Sequence, residues 1–387
     1  MTWQTRAERL AAAATHPASR WRPAVAAVPR HLFIPRWWAW AAPGSGLWHD
    51  IWELRDGPAN PEAWLDAAYA DRSLVTQVGL LHADHAASSA APEGLPTSSA
   101  TLPSLLIQMY RHALITDGAD VLDVGTGSGY GTALLCQRLT DRHVTSIDVD
   151  EYLTKAATGR LASIGLHPEM TTADGTGPLP GTYDRIVSTV AVRPIPASWL
   201  AALRPSGRLV TTITGTSLII SADKTPDGGA AGQTEWDRAG FMHTRSGPDY
   251  PPAAVDRFIE IRDAEGERVT TGQYPVVDVN ESWELYSMLG VTTPGIHHHY
   301  EQAPDGTRTA WMIHLDGSWA RASAVGDQPP AVHQDGPRQL WTLLDDTRRA
   351  WLDNGSLPVY GARATITPDG TIILKRGRWQ AVIPACA

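Results

Sequence analysis

The sequence has little cysteine and no long apolar run, and both absences restrict what the protein can be. Its 387 residues include two cysteines, Cys136 and Cys386, which are too few for a disulfide framework. No apolar stretch approaches the roughly 18 residues of a membrane-spanning helix. Residues 1–16 lack the apolar core of a signal peptide. We therefore expect a cytoplasmic protein without a membrane partner.

Positive charge is also scarce. The chain has 32 Lys and Arg against 41 Asp and Glu, a net charge of −9, and no basic run stands out. Nucleic acid is therefore not an expected partner. The hydrophobic content of 43% is ordinary for a folded protein, and the length suggests two domains.

Tryptophan, by contrast, is abundant, with 16 residues in the chain. Two interpretations are open for those that occur close together near the N-terminus. They either pack a long, irregular segment, which we favour, or form an aromatic surface that grips a peptide. The residues concerned are Trp37, Trp38, Trp40, Trp48, Trp52 and Trp64.

From residue 121 onward, strand patterns alternate with helix patterns. This alternation predicts an α/β fold, a doubly wound, mostly parallel sheet with helices on both faces. Ligands on such sheets bind at the carboxyl ends of the strands. The predicted strands are residues 121–125, 143–150, 170–175, 183–192 and 207–214.

After Gly215 the pattern changes to short strand-like runs. Residues 257–263 and 274–279 are among the predicted strands, and one clear helix is predicted within residues 338–355. TPDGT, at 367–371, lies between two alternating runs and indicates a hairpin. We therefore predict a first domain at 1–215 and a C-terminal α+β domain at 216–387.

The stretch VLDVGTGSGY, at 121–130, indicates a cofactor-binding turn between a strand and a helix. Its glycines, Gly125, Gly127 and Gly129, follow the spacing G-x-G-x-G, and position 130 is Tyr. A dinucleotide turn follows G-x-G-x-x-G, because the pyrophosphate lies against the start of the helix. S-adenosylmethionine carries no phosphate and needs only a short open turn. The spacing therefore favours a methyl donor.

Three acids lie at or near successive strand ends. Asp148 comes 19 residues after Gly129, where a carboxylate can accept hydrogen bonds from both ribose hydroxyls of a nucleoside. Asp174 can accept from the exocyclic amine of adenine. Each acid also has a structural interpretation, with Asp123 satisfying a turn, Asp148 capping the next helix and Asp174 making an Asx-turn. Occurring together and in order, they favour a nucleoside site, and we expect Asp148 to be an exposed acid.

Several motifs occur in the order expected of protein L-isoaspartyl O-methyltransferases, which the chain resembles over about residues 1–215. The segment VPRHLF is much more specific than the glycine turn. The motifs are AAVPRHLFIP (26–35), TLPSLLIQM (101–109), VLDVGTGSGY (121–130), SIDVD (146–150), ADG (173–175), YDRIVSTVAV (183–192) and LRPSGRLV (203–210).

The Trp-rich insertion and the C-terminal extension are similar to those of a sub-group within this family. Its members accompany ribosomally made, modified peptides, and are paired with ATP-grasp peptide maturases or lasso-peptide cyclases. The tail SLPVYGARATITPDGTIILKRGRW resembles the C-terminal hairpin of that sub-group. The implied partners are a precursor peptide and a peptide maturase encoded nearby.

The resemblance implies a Rossmann-like fold that binds S-adenosylmethionine and releases S-adenosylhomocysteine. It also implies methyl transfer to a side-chain carboxylate. Such an acceptor is already ionised at neutral pH, so no strong base is needed. The predicted cofactor-binding residues are Asp123, Gly125, Thr126, Gly127, Ser128, Gly129, Asp148, Val149, Asp174, Gly175 and Thr189.

The resemblance also indicates where the acceptor enters. The family carries Ser-x-Pro at the mouth of its site, and the matching residues here are Thr101, Leu102 and Pro103. The hydroxyl of Thr101 is predicted to be catalytic, with Ser99 sharing the role, and Thr101 also suits a helix cap. Ser98 and Ser104 are further hydroxyls that can share it. Arg72 either pairs with a substrate carboxylate or is a solvated surface arginine.

The run His297–His299 invites a metal interpretation, which we do not adopt. Adjacent residues of a strand point to opposite faces, so these histidines share one ion poorly. We predict no metal site.

The sequence is compatible with four functions. Esterification of an Asp in a precursor peptide, leading to a succinimide, is the leading hypothesis. General repair of isoaspartate, methylation of a small-molecule carboxylate, and a catalytically silent peptide-binding role are the alternatives. We expect a repair enzyme to need no C-terminal domain.

Overall fold

The structure is a computed structural model that describes residues 1–41, 51–245 and 255–385. Trp48 and Cys386 lie outside the described residues. Short 3₁₀ turns occur at Arg30–Phe33, Ala83–His85 and Asp141–His143. The helices are α1 (Trp3–Ala14), α2 (Arg22–Ala27), α3 (Pro61–Ala68), α4 (Pro103–His112), α5 (Tyr130–Leu139), α6 (Glu151–Ala162), α7 (Ala197–Ala202), α8 (Val255–Ile261), α9 (Trp283–Thr292) and α10 (Leu340–Asp353).

Three sheets contain the strands of the described residues. No helix in this part of the chain is long and apolar enough to cross a membrane. The strands are β1 (Arg36–Ala41), β2 (Ile51–Asp56), β3 (Leu74–Val78), β4 (Leu81–His82), β5 (Pro96–Ala100), β6 (Val121–Val124), β7 (Val144–Asp148), β8 (Glu169–Thr172), β9 (Tyr183–Val192), β10 (Leu203–Ile213), β11 (Leu218–Lys224), β12 (Ala230–Arg238), β13 (Arg268–Thr271), β14 (His297–Gln302), β15 (Thr307–Ile313), β16 (Trp319–Val325), β17 (Ala331–Asp335), β18 (Arg363–Ile366), β19 (Ile372–Arg376) and β20 (Trp379–Ile383).

The largest sheet has ten strands in the order β20-β19-β18-β12-β11-β10-β9-β6-β7-β8. Strands β6 to β10 pair in parallel, and the others extend the sheet antiparallel from β10. The neighbours of β6 are β7 and β9, so the order reverses at β6, which creates a crevice at the strand ends. The doubly wound α/β fold expected from the sequence is confirmed.

This sheet continues across residue 215, because β11, β12 and β18–β20 hydrogen-bond into it. The division of the chain at 215 remains a prediction. A separate five-stranded antiparallel sheet, β13-β17-β16-β15-β14, lies within the C-terminal part of the chain. One face of that sheet packs against α9 and α10, whereas its other face packs against α8.

Two local predictions for the C-terminal part are wrong. Residues 257–263 were expected to form a strand, yet α8 occupies most of them. Phe258 and Ile261, three residues apart, pack together on Trp311 and Trp319, and that spacing suits a helix. Residues 274–279 form neither helix nor strand, and helix α9 was not predicted.

The early tryptophans mainly serve packing. Trp37 is 6% exposed, Trp38 1% and Trp52 8%, whereas Trp40 is 56% exposed. The packing interpretation is thus confirmed for Trp37, Trp38 and Trp52. They belong to the five-stranded N-terminal sheet formed by β1–β5, or to the core beneath it.

Arg30 holds two segments of the N-terminal region together. Its guanidinium is fully buried and donates to five backbone carbonyls in two segments. They are those of Ala68 (2.6 Å), Ala70 (3.1 Å), Arg72 (2.8 Å), Ala100 (3.2 Å) and Thr101 (3.2 Å). Burial lowers the pKa of Arg30 to about 10, so it stays charged at neutral pH. The VPRHLF motif therefore works as an internal cross-link.

We expect Arg30→Lys to lower the free energy of unfolding by about 3 kcal/mol or more, because an ammonium has three donors for five carbonyls. Urea denaturation measures the change. Arg20→Gln is the matched control, since Arg20 pairs with Asp117 at the surface with 60% of its side chain exposed, and should cost under about 1 kcal/mol. Equal losses in the two variants would contradict the anchoring role.

Candidate functional site

The glycine turn after β6 has a backbone that only glycine adopts freely. Gly125, Gly127 and Gly129 have φ of +97°, +51° and +90°. A Cβ on Gly125 would lie 2.9 Å from Val190 Cγ1, and one on Gly127 would lie 3.2 Å from the Ser99 carbonyl oxygen. The turn is therefore fitted closely to its neighbours, and its backbone can approach a ligand.

A cavity of about 370 Å³ opens at the carboxyl ends of β6, β7, β8 and β9. It lies where the strand order reverses, as the fold rule for ligands requires. All but two of the predicted site residues line it. The cofactor candidates among them are Asp123, Gly125, Thr126, Gly127, Ser128, Asp148, Val149, Asp174, Gly175 and Thr189, and the acceptor candidates are Ser99 and Thr101.

The two predicted residues outside the lining are Gly129 and Arg72. Gly129 precedes α5, where a Cβ would lie 2.9 Å from the Cβ of Ala157, so it allows α5 and α6 to pack closely. The side chain of Arg72 is exposed, and its carbonyl is one of those that Arg30 binds. The solvated alternative therefore describes Arg72 better, and the roles of the lining residues remain predictions.

Asp148 connects the glycine turn to the start of α6. Its carboxylate accepts from the N–H of Gly127 at 2.9 Å and from the N–H of Asp150 at 3.1 Å. It is half-buried rather than exposed as expected, and burial raises the pKa of its carboxyl. Asp150, not Asp148, caps α6 by accepting from the N–H groups of Tyr152 and Leu153.

Asp123 and Asp174 each make structural contacts as well as lining the cavity. Asp123 is 2% exposed and accepts from the hydroxyls of Thr132 (2.7 Å) and Ser146 (3.0 Å). Burial raises its pKa to about 6. Asp174 accepts from the N–H of Thr176 at 2.8 Å, which is the Asx-turn anticipated as its alternative.

The hydroxyl-bearing rim of the cavity comes from the end of β5 and the start of α4. Ser99 and Thr101 line the cavity, and the carbonyl of Thr101 is bound by Arg30. Leu102 occupies the cap position of α4 without a side-chain hydrogen bond, so Thr101 does not cap the helix. Ser98 also lines the cavity, but its hydroxyl accepts from Thr76 at 3.0 Å. Ser104 is outside the lining.

One wall of the cavity was missed from the sequence. Residues 240–245 (GFMHTR) line it, and their backbone pairs with Ala191 near the end of β9. The segment follows β12 in the chain and carries no recognisable motif. Only the folded chain brings His243 and Arg245 to the site, and burial lowers the pKa of His243, which keeps its ring neutral at pH 7.

The run His297–His299 forms the first half of β14. His298 lies near the ring of Tyr286 (6.2 Å between centroids), and His299 lies near Phe258 (5.8 Å) and Trp311 (5.5 Å). These neighbours belong to opposite faces of the sheet. Across residues 1–41, 51–245 and 255–385, no group of three His, Cys, Asp or Glu residues is arranged to hold a metal ion.

The cavity suits S-adenosylmethionine by its chemistry. Asp148 offers a carboxylate at the end of β7, and a close-fitting glycine turn faces it. The lining also contains apolar surface from Ile147 and Leu153, against which a purine can pack. The fold and this site define an S-adenosylmethionine-dependent methyltransferase.

Comparison with known proteins specifies the family. The family model described as protein-L-isoaspartate(D-aspartate) O-methyltransferase (PCMT) matches residues 67–237. The protein-L-isoaspartate O-methyltransferase of Dinoroseobacter shibae is 32% identical over 162 residues, which cover 41% of this chain and 67% of that protein. That of Bradyrhizobium sp. is 31% identical over 159 residues, which cover 39% of this chain and 69% of that protein. That of Christiangramia forsetii is 37% identical over 102 residues, which cover 26% of this chain and 47% of that protein.

The chain belongs to the protein-L-isoaspartate O-methyltransferase family. It spans between about half and two thirds of the length of the curated relatives just described. A solved structure titled protein-L-isoaspartate O-methyltransferase covers 98% of this chain and 99% of its own, with a TM-score of 0.50 and 14% identity. At that identity the likeness concerns the fold, and it extends through the C-terminal part.

We expect Asp148→Asn to weaken binding of S-adenosylhomocysteine by about tenfold or more, because a charged acceptor for ribose hydroxyls is lost. Calorimetry measures the affinity, and the melting temperature should change little. Glu169→Gln is the matched control, an acid of the neighbouring strand β8 outside the cavity lining. Unchanged affinity in Asp148→Asn would remove Asp148 from the cofactor site.

We expect Gly125→Ala to abolish measurable S-adenosylhomocysteine binding, because the new methyl displaces the turn or Val190. Gly118→Ala isolates the cost of backbone strain, since Gly118 has φ of +74° with nothing within 4 Å of its Cβ position. Both variants should lose about 1 kcal/mol of stability from strain. Equal affinities for S-adenosylhomocysteine would show that the turn does not contact it.

Proposed function

We propose that the protein is an S-adenosylmethionine-dependent carboxyl O-methyltransferase that esterifies an Asp side chain in a ribosomally made precursor peptide. The ester then closes to a succinimide. The proposal of carboxyl methylation rests on the lining of the cavity. There the residues of the cofactor motifs lie opposite a rim that contains Ser99 and Thr101, whose hydroxyls can bind a carboxylate. The wider family supports a protein or peptide substrate, since its members carry the name protein-L-isoaspartate O-methyltransferase.

The chain's own residues need to do little beyond binding and alignment. S-adenosylmethionine, which Asp148 and the glycine turn would hold, would supply a sulfonium-bound methyl group for transfer to an acceptor carboxylate oxygen, with S-adenosylhomocysteine as the leaving group. No proton is transferred, because the acceptor is ionised at neutral pH. The hydroxyls of Ser99 and Thr101 orient the carboxylate, and the apolar lining excludes water.

We assign recognition of the peptide to the C-terminal region, residues 216–387. Supporting this, burial lowers the pKa of His297 at the start of β14, and the charge of His243, a residue of the cavity wall, lowers it further, so the two histidines lie within electrostatic reach of each other. The guanidinium of Arg193, just after β9, donates to the carbonyls of Gly290 (2.9 Å) and Val291 (2.6 Å) of α9, which fixes that region next to the site. A peptide bound along it can deliver its Asp to the rim.

General repair of isoaspartate is the second candidate, favoured by the names of the curated relatives. The extra C-terminal region does not decide between the two. A solved structure bearing the repair family's name matches 98% of this chain, so the expectation that such a protein needs no C-terminal domain carries no weight. A peptide maturase encoded nearby would favour the precursor hypothesis.

Mass spectrometry of a cognate precursor peptide distinguishes the candidates. With enzyme and S-adenosylmethionine, an ordinary Asp should first gain ~14 Da as the methyl ester. The peptide should then show a net loss of ~18 Da from its starting mass, as the next backbone amide displaces methanol. The Asp→Asn peptide is the control and should stay unmodified. If ordinary Asp peptides stay unmodified while unrelated isoaspartyl peptides are methylated, repair replaces the precursor proposal.

A further inference from the structure

The cavity wall at residues 240–245 carries a histidine without a partner among the described residues. His243 is the only histidine in the described lining of the cavity, and solvent reaches it. Within residues 1–41, 51–245 and 255–385 its ring makes no hydrogen bond or salt bridge. By contrast, the three carboxyls of the lining already accept hydrogen bonds, as described above. The imidazole of His243 is therefore available to a substrate.

Backbone hydrogen bonds hold His243 at the end of β9. The N–H of Ala191 donates to the carbonyl of Met242 at 2.7 Å, and the N–H of Thr244 donates to the carbonyl of Ala191 at 2.9 Å. These bonds lie on either side of His243 in the chain, so its backbone is fixed while its side chain stays unengaged. Ala191 directly follows Val190, which lines the cavity.

The glycine turn lies between this end of β9 and the hydroxyl-bearing rim. A Cβ on Gly125 would lie 2.9 Å from Val190 Cγ1, and one on Gly127 would lie 3.2 Å from the carbonyl oxygen of Ser99. The end of β9 and the rim therefore contact the same short turn. Under the proposed function, an Asp bound at the rim shares a cavity of about 370 Å³ with His243.

Two steps follow binding under the proposed function, and only the second calls for a base. The acceptor carboxylate is already ionised when it takes the methyl group. Closure to the succinimide is different, because the attacking backbone nitrogen must lose a proton and the departing methoxy oxygen must gain one. A single side chain that takes up a proton and returns it can serve both needs, and neutral imidazole is suited to this task.

We propose that His243 is the general base of succinimide closure, so that the protein catalyses imide formation as well as methylation. The imidazole takes the proton of the amide nitrogen that follows the esterified Asp, as that nitrogen attacks the ester carbonyl carbon. The new bond joins nitrogen to this carbon, and the bond from the carbon to the methoxy oxygen breaks. The imidazolium returns the proton to that oxygen, which leaves as methanol. The inference rests on the proposed function.

The surroundings of His243 keep its ring neutral at pH 7. Although solvent reaches the residue, partial desolvation by the surrounding protein lowers its pKa. The nearest histidine on another element is His297 of β14, whose own pKa is lowered by burial and then by the charges of His243 and His314. On the same segment, the guanidinium of Arg245 lies 3.4 Å from the carboxylate of Asp150. None of these groups holds the imidazole in its charged form.

A synthetic cognate peptide that already carries the Asp methyl ester tests the closure step alone. With the full-length protein and S-adenosylhomocysteine at pH 7, the ester should lose methanol (~32 Da) about a hundredfold faster than in buffer. In His243→Gln the kcat of closure should fall at least about tenfold, whereas KM should change little, because the rim still binds the peptide. His167→Gln is the matched control, an exposed histidine outside the cavity lining that should not affect closure.

Two further readouts separate proton transfer from packing. In the parent protein, kcat should rise with pH through the lowered pKa of His243 and then level off, whereas closure in buffer keeps rising with hydroxide concentration. Added imidazole should restore closure in His243→Ala, which keeps the test decisive if His243→Gln fails to fold. The proposal is overturned if the parent closes the ester no faster than buffer does, or if His243→Gln changes only KM.

Failure of this inference and failure of the proposed function give different results. If Asp and S-adenosylmethionine yield no ester, the proposed function fails. If the ester forms but then closes at the buffer rate, only the role of His243 fails. If the protein instead returns the ester to free Asp faster than buffer does, the base activates water rather than the amide, and the imide assignment is again wrong.

Discussion

A single buried guanidinium, that of Arg30, links the rim of the cavity at Thr101 to residues 68–72. Arg30 donates to carbonyls at residues 68–72 and 100–101, and without it those carbonyls would lose a charged donor. The second of these segments carries Thr101 and directly follows Ser99. Under the proposed function, the cross-link therefore fixes the Thr101 end of the rim that receives the acceptor carboxylate.

A second constraint sets the cofactor side. The glycine turn fits between Val190 of β9 and the carbonyl of Ser99, with no room for a Cβ at Gly125. The turn therefore contacts the rim directly, and Asp148 holds its far side through Gly127. Under the proposed function, the positions of the methyl donor and the acceptor are therefore fixed relative to each other by backbone contacts. This suits a reaction in which alignment replaces acid–base catalysis.

Most of the cavity could be predicted from the sequence, because its residues follow strands within one continuous alternation of strands and helices. Glycines, acids and hydroxyls between residues 99 and 189 keep a recognisable spacing, and the sheet brings their strand ends together. The wall at 240–245 was not foreseeable, because it reaches the cavity only through pairing with Ala191. Helix α8 was mistaken for a strand because, in a run of only seven residues, the apolar spacing fits the period of a helix and that of a strand equally well. The contribution of β18–β20 to the large sheet is a long-range pairing that local sequence does not encode.

The most direct test of the central claim is the chemical nature of the methylated product. The protein, methyl-tritiated S-adenosylmethionine and an Asp-containing cognate peptide are incubated together, and the label released as methanol by mild base is then counted. Carboxyl methylation predicts base-labile label that requires the acceptor carboxylate and disappears when that Asp is replaced by Asn. Label that enters the peptide but stays bound in base would contradict the account, because it would place the methyl group on nitrogen or carbon.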